Sequence, residues 1–309
     1  MAEHYLDDSQ AHAFWDNSFP PRLEIESGDT VTFDCREPLD NQVTPDSGPE
    51  IWATWDRSRA HALCGPVYVK GSQPGDTLEV EVLNFEHKGW GWTGSAGGLL
   101  RAEFGEPFLL HWHLEGDSCF FRDSNKVEVP FEPFCGVMGV APAEVGRFNT
   151  LPARSNGGNV DIRGLTTGAR VFLPVLVEGA LFSTGDCHAA QGEGEVCVTA
   201  IEAPMRVTLR FHLRKDLAIK ELQFMTPSPL TRADSAGYYC TTAHGEDLLV
   251  NAQNAVRYMI DWLEQTYGFS HSQAYCLCSV AGDLKISSIP INVRVVSFYM
   301  PLSIFKDSR

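Results

Sequence analysis

Alternation of apolar and polar positions runs through the first 225 residues of the chain, in short segments separated by turn residues. Residues 77–83 (TLEVEVL) alternate with a period of two, which is typical of a strand that buries one face. Residues 74–76 (PGD) signal a turn before it, because proline fixes φ and glycine permits a positive φ. Further strands are predicted at residues 23–26, 28–33, 171–177, 195–201 and 206–212. Many short strands with Gly/Pro turns predict a mainly β fold, with a β-sandwich or barrel-like body.

Helical periodicity is concentrated near the C-terminus. Apolar residues recur at i, i+3 and i+4 between Leu248 and Leu263, and Gly268 is a typical C-terminal stop for such a helix. Residues 273–280 and 293–299 are predicted as further strands. We therefore predict two parts: a β-rich domain at residues 1–225 and an α+β portion at residues 226–309.

The charge balance narrows the classes of partner. Lys and Arg total 24 against 40 Asp and Glu, which gives the 309-residue chain a net charge of −16. An acidic surface repels phosphate backbones, so nucleic-acid binding is not expected. No segment reaches the ~20 apolar residues that a membrane-spanning helix needs, and the N-terminal residues lack the pattern of an export signal. We expect no membrane partner.

Nine cysteines are dispersed along the chain and include no C-x-x-C pair. Zinc ribbons use such pairs, so a structural zinc site built from cysteines is not expected. Reduced thiols in a cytoplasmic protein are the simplest account of this pattern. Cys187 lies within a polar cluster, but nothing in the sequence nominates it as a nucleophile.

The densest group of functional side chains lies in residues 185–195 (GDCHAAQGEGE). If Asp186 and His188 end a strand, their i, i+2 spacing places both on one face. Two glycines then permit a tight reversal that returns Glu193 or Glu195 toward them. Carboxylates and an imidazole that converge at a sheet end can hold a divalent metal or act as an acid/base set. A polar hairpin, in which the Asp and the His cap backbone groups, is the alternative.

Three other candidate sites contain fewer functional side chains than residues 185–195. Asn159 and Asp161 share one strand face beside two glycines in SNGGNVD, although the same pattern fits a plain turn. Glu37 lies in a polar segment near the N-terminus. Trp92, in the sequence GWGWTG, is either an aromatic substrate wall or a turn residue packed on the core.

His111 and His113 form an H-x-H pair of the type seen in cupin metal sites. Cupins place a glutamate several residues beyond the second histidine, whereas Glu115 follows after a single residue. Alternating histidines also fit a half-exposed strand edge or interface. The chain contains no G-x-S-x-G nucleophile elbow, no Ser–Ser–Lys amidase arrangement and no phosphate-binding loop. Hydrolysis by this chain would therefore use an activated water.

Several ordered blocks of sequence carry a resemblance to a known family. They are residues 14–21 (FWDNSFPP), 28–33 (GDTVTF), 65–71 (GPVYVKG), 74–78 (PGDTL), 134–143 (FCGVMGVAPA), 157–161 (GGNVD), 173–182, 185–195, 278–284 (CSVAGDL) and 297–301 (SFYMP). In this order the blocks resemble the acetamidase/formamidase family over nearly the whole chain. The resemblance implies hydrolysis of small aliphatic amides to the carboxylic acid and ammonia, with formamide as the preferred substrate and acetamide as a further one. It also implies a β-rich fold with a jelly-roll-like portion, homo-oligomeric assembly and a bound divalent metal, with zinc as the expected ion.

The candidate residues then fall into three groups. They are the predicted catalytic residues Glu195, Glu193 and Asp161, the predicted metal ligands Asp186, His188 and Glu37, and the predicted substrate contacts Asn159, Gln191 and Trp92. Asp161 is also an alternative ligand. The ion would activate a water, and Glu195 or Glu193 would take its proton and deliver it to the leaving nitrogen. Two other classes stay open at this point: a cupin-like metalloenzyme that uses His111 and His113, and a non-catalytic binding member of the fold.

Overall fold

The computed structural model describes residues 1–95, 97–124, 126–226, 233–236, 238–288 and 294–306. Its strands are β1 (Glu3–Leu6), β2 (Phe14–Trp15), β3 (Leu23–Ile25), β4 (Thr30–Cys35), β5 (Leu63–Val69), β6 (Thr77–His87), β7 (Trp90–Ser95), β8 (Phe108–Glu115), β9 (Ser118–Phe121), β10 (Glu128–Pro130), β11 (Phe134–Gly139), β12 (Phe148–Asn149), β13 (Gly157–Asn159), β14 (Arg170–Pro174), β15 (Phe182–His188), β16 (Met205–Arg214), β17 (Gln223–Met225), β18 (Tyr238–Gly245), β19 (Asp283–Ser288) and β20 (Arg294–Pro301). Its helices are α1 (Leu248–Tyr267) and α2 (His271–Ala281), with short 3-10 turns at Pro49–Ala53, Arg57–Arg59, Gly98–Leu100, Ala233–Ala236 and Leu302–Ile304. Strands dominate, and the predicted mainly β fold is confirmed.

Two sheets face each other in the β-rich part. One has six strands in the order β1-β4-β16-β6-β14-β17, and the other has five in the order β13-β11-β15-β5-β3. Phe33 of β4 and Phe211 of β16 both pack against Phe182 of β15, with ring centroids 5.9 and 5.0 Å apart. Apolar side chains of the two sheets therefore meet in one buried layer, as in a β-sandwich. A four-stranded sheet, β10-β9-β8-β7, extends this part.

Strand β15 supplies the centre of the five-stranded sheet. It pairs antiparallel with β11 and with β5, and the register places Phe134 opposite His188 and Cys135 opposite Cys187. Every residue of β15 is buried. Because side chains alternate across a strand, Asp186 and His188 leave one face of β15 and Cys187 leaves the other.

The C-terminal part combines α1 and α2 with the three-stranded sheet β18-β20-β19. Helix α1 begins where the carboxylate of Asp247 accepts the N–H groups of Leu249 and Val250, and it ends at Gly268 with a left-handed φ of 67°. The apolar stripe predicted from the sequence is its buried face. The predicted helix and its glycine stop are confirmed, and so is the strand predicted at residues 293–299, which is β20 from residue 294, the first described residue of that segment.

Residues 273–280, predicted as a strand, belong instead to helix α2. Ser270 accepts the N–H of Gln273, and the Gln273 side chain accepts the N–H of Ser270, which together form a capping box. Seven of the helix residues are buried, so no polar face marks the 3.6-residue period. The strand prediction was wrong because a helix that is buried on all sides shows no alternation of apolar and polar faces. The capping pattern S-x-x-Q at its start was the one local sign of a helix.

Residues 195–201, also predicted as a strand, form a loop. Glu195 and Val198 have φ values of 40° and 88°, in the left-handed region that interrupts a strand ladder. Pairing resumes only at Glu202, which makes isolated bridges to Trp92 and His188. The prediction was wrong because these two backbone conformations cannot be read from an apolar alternation.

The main hydrophobic core includes residues of both predicted parts, from Leu6 to Phe305. The domain boundary near residue 225 therefore stays a prediction. Eight cysteines have described side chains, and all eight are buried and free. None of the described helices is long and apolar enough to cross a membrane.

Candidate active site

Asp186 and His188 lie at the end of β15 and are both buried, with 4% and 1% of their surface exposed. Their side chains point to the same side, and His188 Nε2 lies 3.6 Å from Asp186 Oδ1. The ring of Phe134, on the neighbouring strand, packs edge-on against the imidazole at 4.9 Å. The two residues that the sequence placed on one strand face are therefore held side by side.

Three more carboxylates surround this pair. Ligand atoms of Asp161, Asp186 and His188 all lie within 4.8 Å of one another, and the same holds for His188, Glu195 and Glu202. His188 Nε2 lies 3.1 Å from Glu202 Oε2. One imidazole nitrogen is thus shared by two groups of carboxylates.

Gln191 fixes the orientation of the imidazole. Its Nε2 donates to the backbone carbonyl of Asp161 at 2.8 Å, so its Oε1 faces His188. The Nδ1 of His188 lies 2.8 Å from that oxygen and must donate to it. In the neutral ring the lone pair is then on Nε2, which faces the carboxylates.

The backbone holds three of the acids in an uncommon conformation. Asp161, Asp186 and Glu195 have φ values of 45°, 54° and 40°. Non-glycine residues rarely adopt this left-handed region, and such strain is concentrated at functional sites, where the surrounding structure compensates it. These three side chains converge because their backbone turns them there.

Gly136 of β11 forms the floor below the group. A Cβ at this position would lie 2.6 Å from Asp161 Oδ1, 2.8 Å from Asp186 Oδ2 and 2.9 Å from His188 Cε1. A side chain of any size would therefore occupy the space between the three residues. Only glycine leaves that space open.

Burial and mutual repulsion shift the protonation of the acids. Burial raises the pKa of Asp161 to about 7, and it also raises the pKa values of Glu195 and Glu202. Burial acts in the same direction on Asp186, but the charges of His61 and His188 outweigh it and lower that pKa to about 2. For His188, the charges of Glu202 and Asp186 outweigh burial and raise the pKa well above its ordinary value. The group therefore binds protons near neutral pH unless another cation compensates its charge.

The group opens into a cavity of about 340 Å³. The residues that line it are Pro38, Leu39, Trp52, Trp55, Arg57, Ala60, His61, Trp92, Leu151, Asn159, Asp161, Asp186, His188, Glu195, Val198, Thr199 and Glu202. Asn159 and Trp92, predicted as substrate contacts, are among them, whereas Gln191 lies behind the imidazole. None of the serines and cysteines that the structure describes lines the cavity, and Cys187 instead contacts Cys135 with 3.9 Å between sulfur atoms.

Glu37, predicted as a metal ligand, is not part of the group. Its carboxylate accepts the N–H of Leu39 at 3.0 Å, the N–H of Val43 at 3.3 Å and the indole N–H of Trp92 at 3.3 Å. Burial raises its pKa to about 7. The position corrects the prediction, because these donors occupy the carboxylate behind the cavity wall.

Glu193, predicted as an alternative base, also lies elsewhere. Its side chain is 54% exposed and contacts Arg163 Nε at 3.2 Å. It lines a different cavity, together with Gln191 and Arg163. The loop turns it outward and Glu195 inward, so the structure separates two acids that the sequence could not distinguish.

His111 and His113 do not form a metal site with the residues that the structure describes. His111 Nε2 donates to the backbone carbonyl of Ser47 at 2.7 Å. His113 is 57% exposed and lies 3.6 Å from Glu115. Strand β8 lies between β7 and β9, and from there His111 holds a neighbouring segment while His113 is exposed, so the cupin-like alternative loses its geometric basis.

Two site residues were missed in the sequence. Glu202 reaches the group through its bridges to His188 and Trp92, and its only sequence signal is a single acid within the apolar stretch AIEAPM. His61 Nε2 lies 3.9 Å from Asp186 Oδ2 and carries no motif around it. Both enter the site by long-range contacts.

A buried group of carboxylates around one imidazole lies at the base of a cavity that has no serine or cysteine among its described lining residues. This arrangement is typical of a hydrolase site of the acid/base or metal type. The sequence model of the Acetamidase/Formamidase family matches residues 2–146 and 144–307, and the chain belongs to that family. It is an amide-hydrolysing enzyme.

Individual relatives agree with this assignment. The formamidase of Methylophilus methylotrophus is 26% identical, over 97% of this chain and 90% of that protein. A γ-lactamase from Delftia acidovorans has a TM-score of 0.90 at 25% identity, over 98% of this chain and 93% of the other. An acetamidase from Bacillus halodurans has a TM-score of 0.69 at 29% identity, over 97% of each chain.

Proposed function

We propose that this enzyme hydrolyses a carboxamide to the carboxylic acid and ammonia with a water that the buried acids deprotonate. The observation that carries the proposal is the convergence of Asp161, Asp186, Glu195 and Glu202 on His188 at the base of the cavity. Formamide and acetamide, which the resemblance implied, are the first substrates to test.

The residues around Gly136 fit a divalent cation, with zinc as the proposed ion. Asp161, Asp186 and His188 offer two carboxylates and one imidazole nitrogen, a donor set typical of zinc. Asp161 Oδ1 is buried and has no hydrogen-bond partner among the described residues. These three residues would hold the ion. When bound, such an ion supplies Lewis acidity, which polarises the amide carbonyl and lowers the pKa of water.

Glu195 is the proposed base. It lines the cavity beside His188, where a carboxylate is placed to accept a proton from water and to return it. Glu195 takes one proton from water while the water oxygen bonds to the carbonyl carbon. The same proton then passes to the nitrogen as the C–N bond breaks, so that ammonia leaves and the carboxylic acid remains.

Asn159 is the proposed contact of the substrate amide group. Its Oδ1 is buried, lines the cavity and has no hydrogen-bond partner among the described residues. A carbonyl oxygen in that state can accept an N–H of the amide. This contact would orient the nitrogen toward the acid that protonates it.

The test compares two neighbouring glutamates. We expect Glu195→Gln to lower kcat for formamide and acetamide by about 10²–10⁴-fold, because the amide cannot move the proton. The control Glu193→Gln changes an exposed side chain outside the cavity and is expected to retain activity. Ammonia release measures both variants. Equal activity of Glu195→Gln and wild type would show that Glu195 is not the base. A wild-type enzyme that releases no ammonia from these amides would favour a non-catalytic binding protein.

A cyclic amide is a second candidate substrate. The observation that favours it is the TM-score of 0.90 with the γ-lactamase, against 0.69 with the acetamidase. Hydrolysis of a lactam would use the same acids, since its bond is also an amide. Homo-oligomeric assembly and a cytoplasmic location stay predictions, supported by the resemblance and by the free cysteines.

A further inference from the structure

The cavity is larger than the smallest amides require. It encloses about 340 Å³, whereas one water occupies ~30 Å³ of liquid. Formamide and acetamide, with a handful of non-hydrogen atoms each, would leave most of this space to water. Pockets of ~300–1,000 Å³ commonly enclose much larger ligands.

Much of the wall away from the acids is apolar. Its apolar side chains are Leu39, Trp52, Trp55, Trp92, Leu151 and Val198. Leu151 and Val198 are 57% and 61% exposed although both are apolar. Such side chains at a cavity are stabilised by contact with an apolar ligand that replaces water.

Three of these six side chains, Leu39, Trp52 and Trp55, belong to one segment, residues 37–60, which we call the cap. Leu39, Val43 and Ala60 form a small hydrophobic cluster with Trp92 that is separate from the main core. The carboxylate of Glu37 ties the beginning of the cap to the indole of Trp92. The side chains of the cap therefore pack in a cluster of their own, which is not part of the core between the two sheets.

Polar contacts fix the cap on strand β8. Trp52 Nε1 donates to the carbonyl of Phe108 at 3.3 Å, and His111 Nε2 donates to the carbonyl of Ser47 at 2.7 Å. The second of these bonds explains the presence of the buried His111 on β8, since its imidazole holds the cap and need not bind a metal. A wall held in this way presents a preformed surface.

Trp52 contacts the other two tryptophans of the wall, Trp55 and Trp92, edge to face. Ring centroids of Trp52 and Trp92 are 5.6 Å apart, and those of Trp52 and Trp55 are 6.2 Å apart. Gly94 admits this arrangement, because a Cβ there would lie 2.2 Å from Cζ2 of Trp52. Rigid aromatic rings offer a large contact area at a small cost in side-chain entropy.

We infer that this enzyme prefers amides whose acyl carbon carries an apolar group of roughly four to seven carbons, such as hexanamide or benzamide, over formamide and acetamide. The inference rests on the proposed function: the amide bond lies at the acids and the apolar group lies against the tryptophans. The reaction is unchanged, since R–CO–NH₂ and water give R–COOH and ammonia, and the group R is untouched.

The first experiment measures kcat/KM for formamide, acetamide, hexanamide, benzamide and a γ-lactam. We expect the value for benzamide or hexanamide to exceed that for acetamide by at least about tenfold, because each buried methylene discriminates by roughly that factor. The γ-lactam has only three methylene carbons, fewer than the inferred range, so its value is expected to stay below that for benzamide, and an equal or higher value would contradict the inference. Equal or higher values for formamide and acetamide would overturn it.

The second experiment uses the ratio of kcat/KM for benzamide to that for acetamide. Trp55→Ala is expected to lower the ratio about tenfold or more. The matched control is Trp90→Ala, because Trp90 packs in the same cluster but does not line the cavity, and it is expected to keep the ratio. Leu151→Ser serves as a second variant at an exposed position and is expected to lower the ratio at least about twofold. An unchanged ratio in both wall variants would contradict the inference.

A binding experiment separates the inference from the proposed function. Calorimetric titration of Glu195→Gln with benzamide and with acetamide is expected to give a Kd for benzamide at least about tenfold lower. If no amide is hydrolysed but benzamide binds selectively, the proposed reaction fails while the apolar subsite stands. If formamide is hydrolysed but benzamide does not bind, the reaction stands and the inference fails.

Discussion

The cavity has two walls that are built in different ways. The acids lie on the five-stranded sheet and the loops beside it, where strand pairing, Gly136 and left-handed backbone at Asp161, Asp186 and Glu195 fix them. The cap is an irregular segment with two short 3-10 turns, and side-chain to backbone hydrogen bonds hold it on β8.

This difference separates chemistry from specificity. A sheet with buried strands on both sides holds reacting groups within narrow tolerances, as proton transfer requires. A loop segment on the outside can change its side chains without moving the acids. We therefore expect changes in the sheet to affect turnover of every amide and changes in the cap to affect the choice of amide.

The largest expected effect comes from Gly136→Ala. The new methyl group would lie less than 3 Å from atoms of Asp161, Asp186 and His188, so we expect kcat to fall about 10³-fold or more for all amides. The backbone φ of Gly136 is not left-handed, so the variant is expected to fold. Gly105→Ala is the control, because its nearest atom would be 3.7 Å away. Normal turnover in Gly136→Ala, measured by ammonia release, would contradict the claim that only glycine at this position leaves the space between the three residues open.

Removal of the proposed ion should affect the chemistry at the acids much more than the binding of an apolar group at the tryptophans. We expect the purified enzyme to contain a divalent ion by elemental analysis, and chelation to lower turnover at least about 100-fold, with recovery on adding zinc. Binding of benzamide, which the tryptophans dominate, is expected to weaken less than about tenfold. A metal-free sample that retains full formamide hydrolysis would exclude the metal.

The remaining expected effect is on stability alone and concerns Glu37, the first residue of the cap. Its folded-state pKa is about 7 against an ordinary value of 4.5, because it is buried. Its carboxyl group therefore contributes stability that is complete below pH 4.5 and is lost as the pH rises to 7, up to ~3 kcal/mol. Urea unfolding at pH 5 and pH 8 measures this loss. We expect Glu37→Gln to lose less free energy of unfolding over this interval than wild type, and equal losses would exclude Glu37 as the group responsible.

Residues 185–195 illustrate what can be predicted from sequence. The i, i+2 spacing of Asp186 and His188 predicted a shared strand face, and the structure places both side chains together. Asp161 and Glu195 join them as expected from nearby turns. This part was predictable because strand geometry is local and glycines mark the reversal.

Glu37 and Glu202 illustrate the limit. Both are acids in unremarkable local sequence, and the structure places Glu202 at the imidazole and Glu37 behind Trp92. Their places depend on which strands become neighbours, through pairings more than a hundred residues apart in some cases. No local pattern contains that information.

The mainly β fold, helix α1 with its glycine stop, the family and the proximity of Asp186 to His188 could all be predicted from the amino-acid sequence. These properties follow from hydrophobic periodicity and turn residues, which depend on a few neighbouring residues, and from ordered motifs, which can be compared directly with other sequences. The tertiary structure alone decided that Glu195 and not Glu193 faces the cavity, that Glu202 completes the acid group, and that residues 37–60 place tryptophans opposite it. The physical reason is that burial, charge compensation and cavity shape are properties of segments brought together by folding.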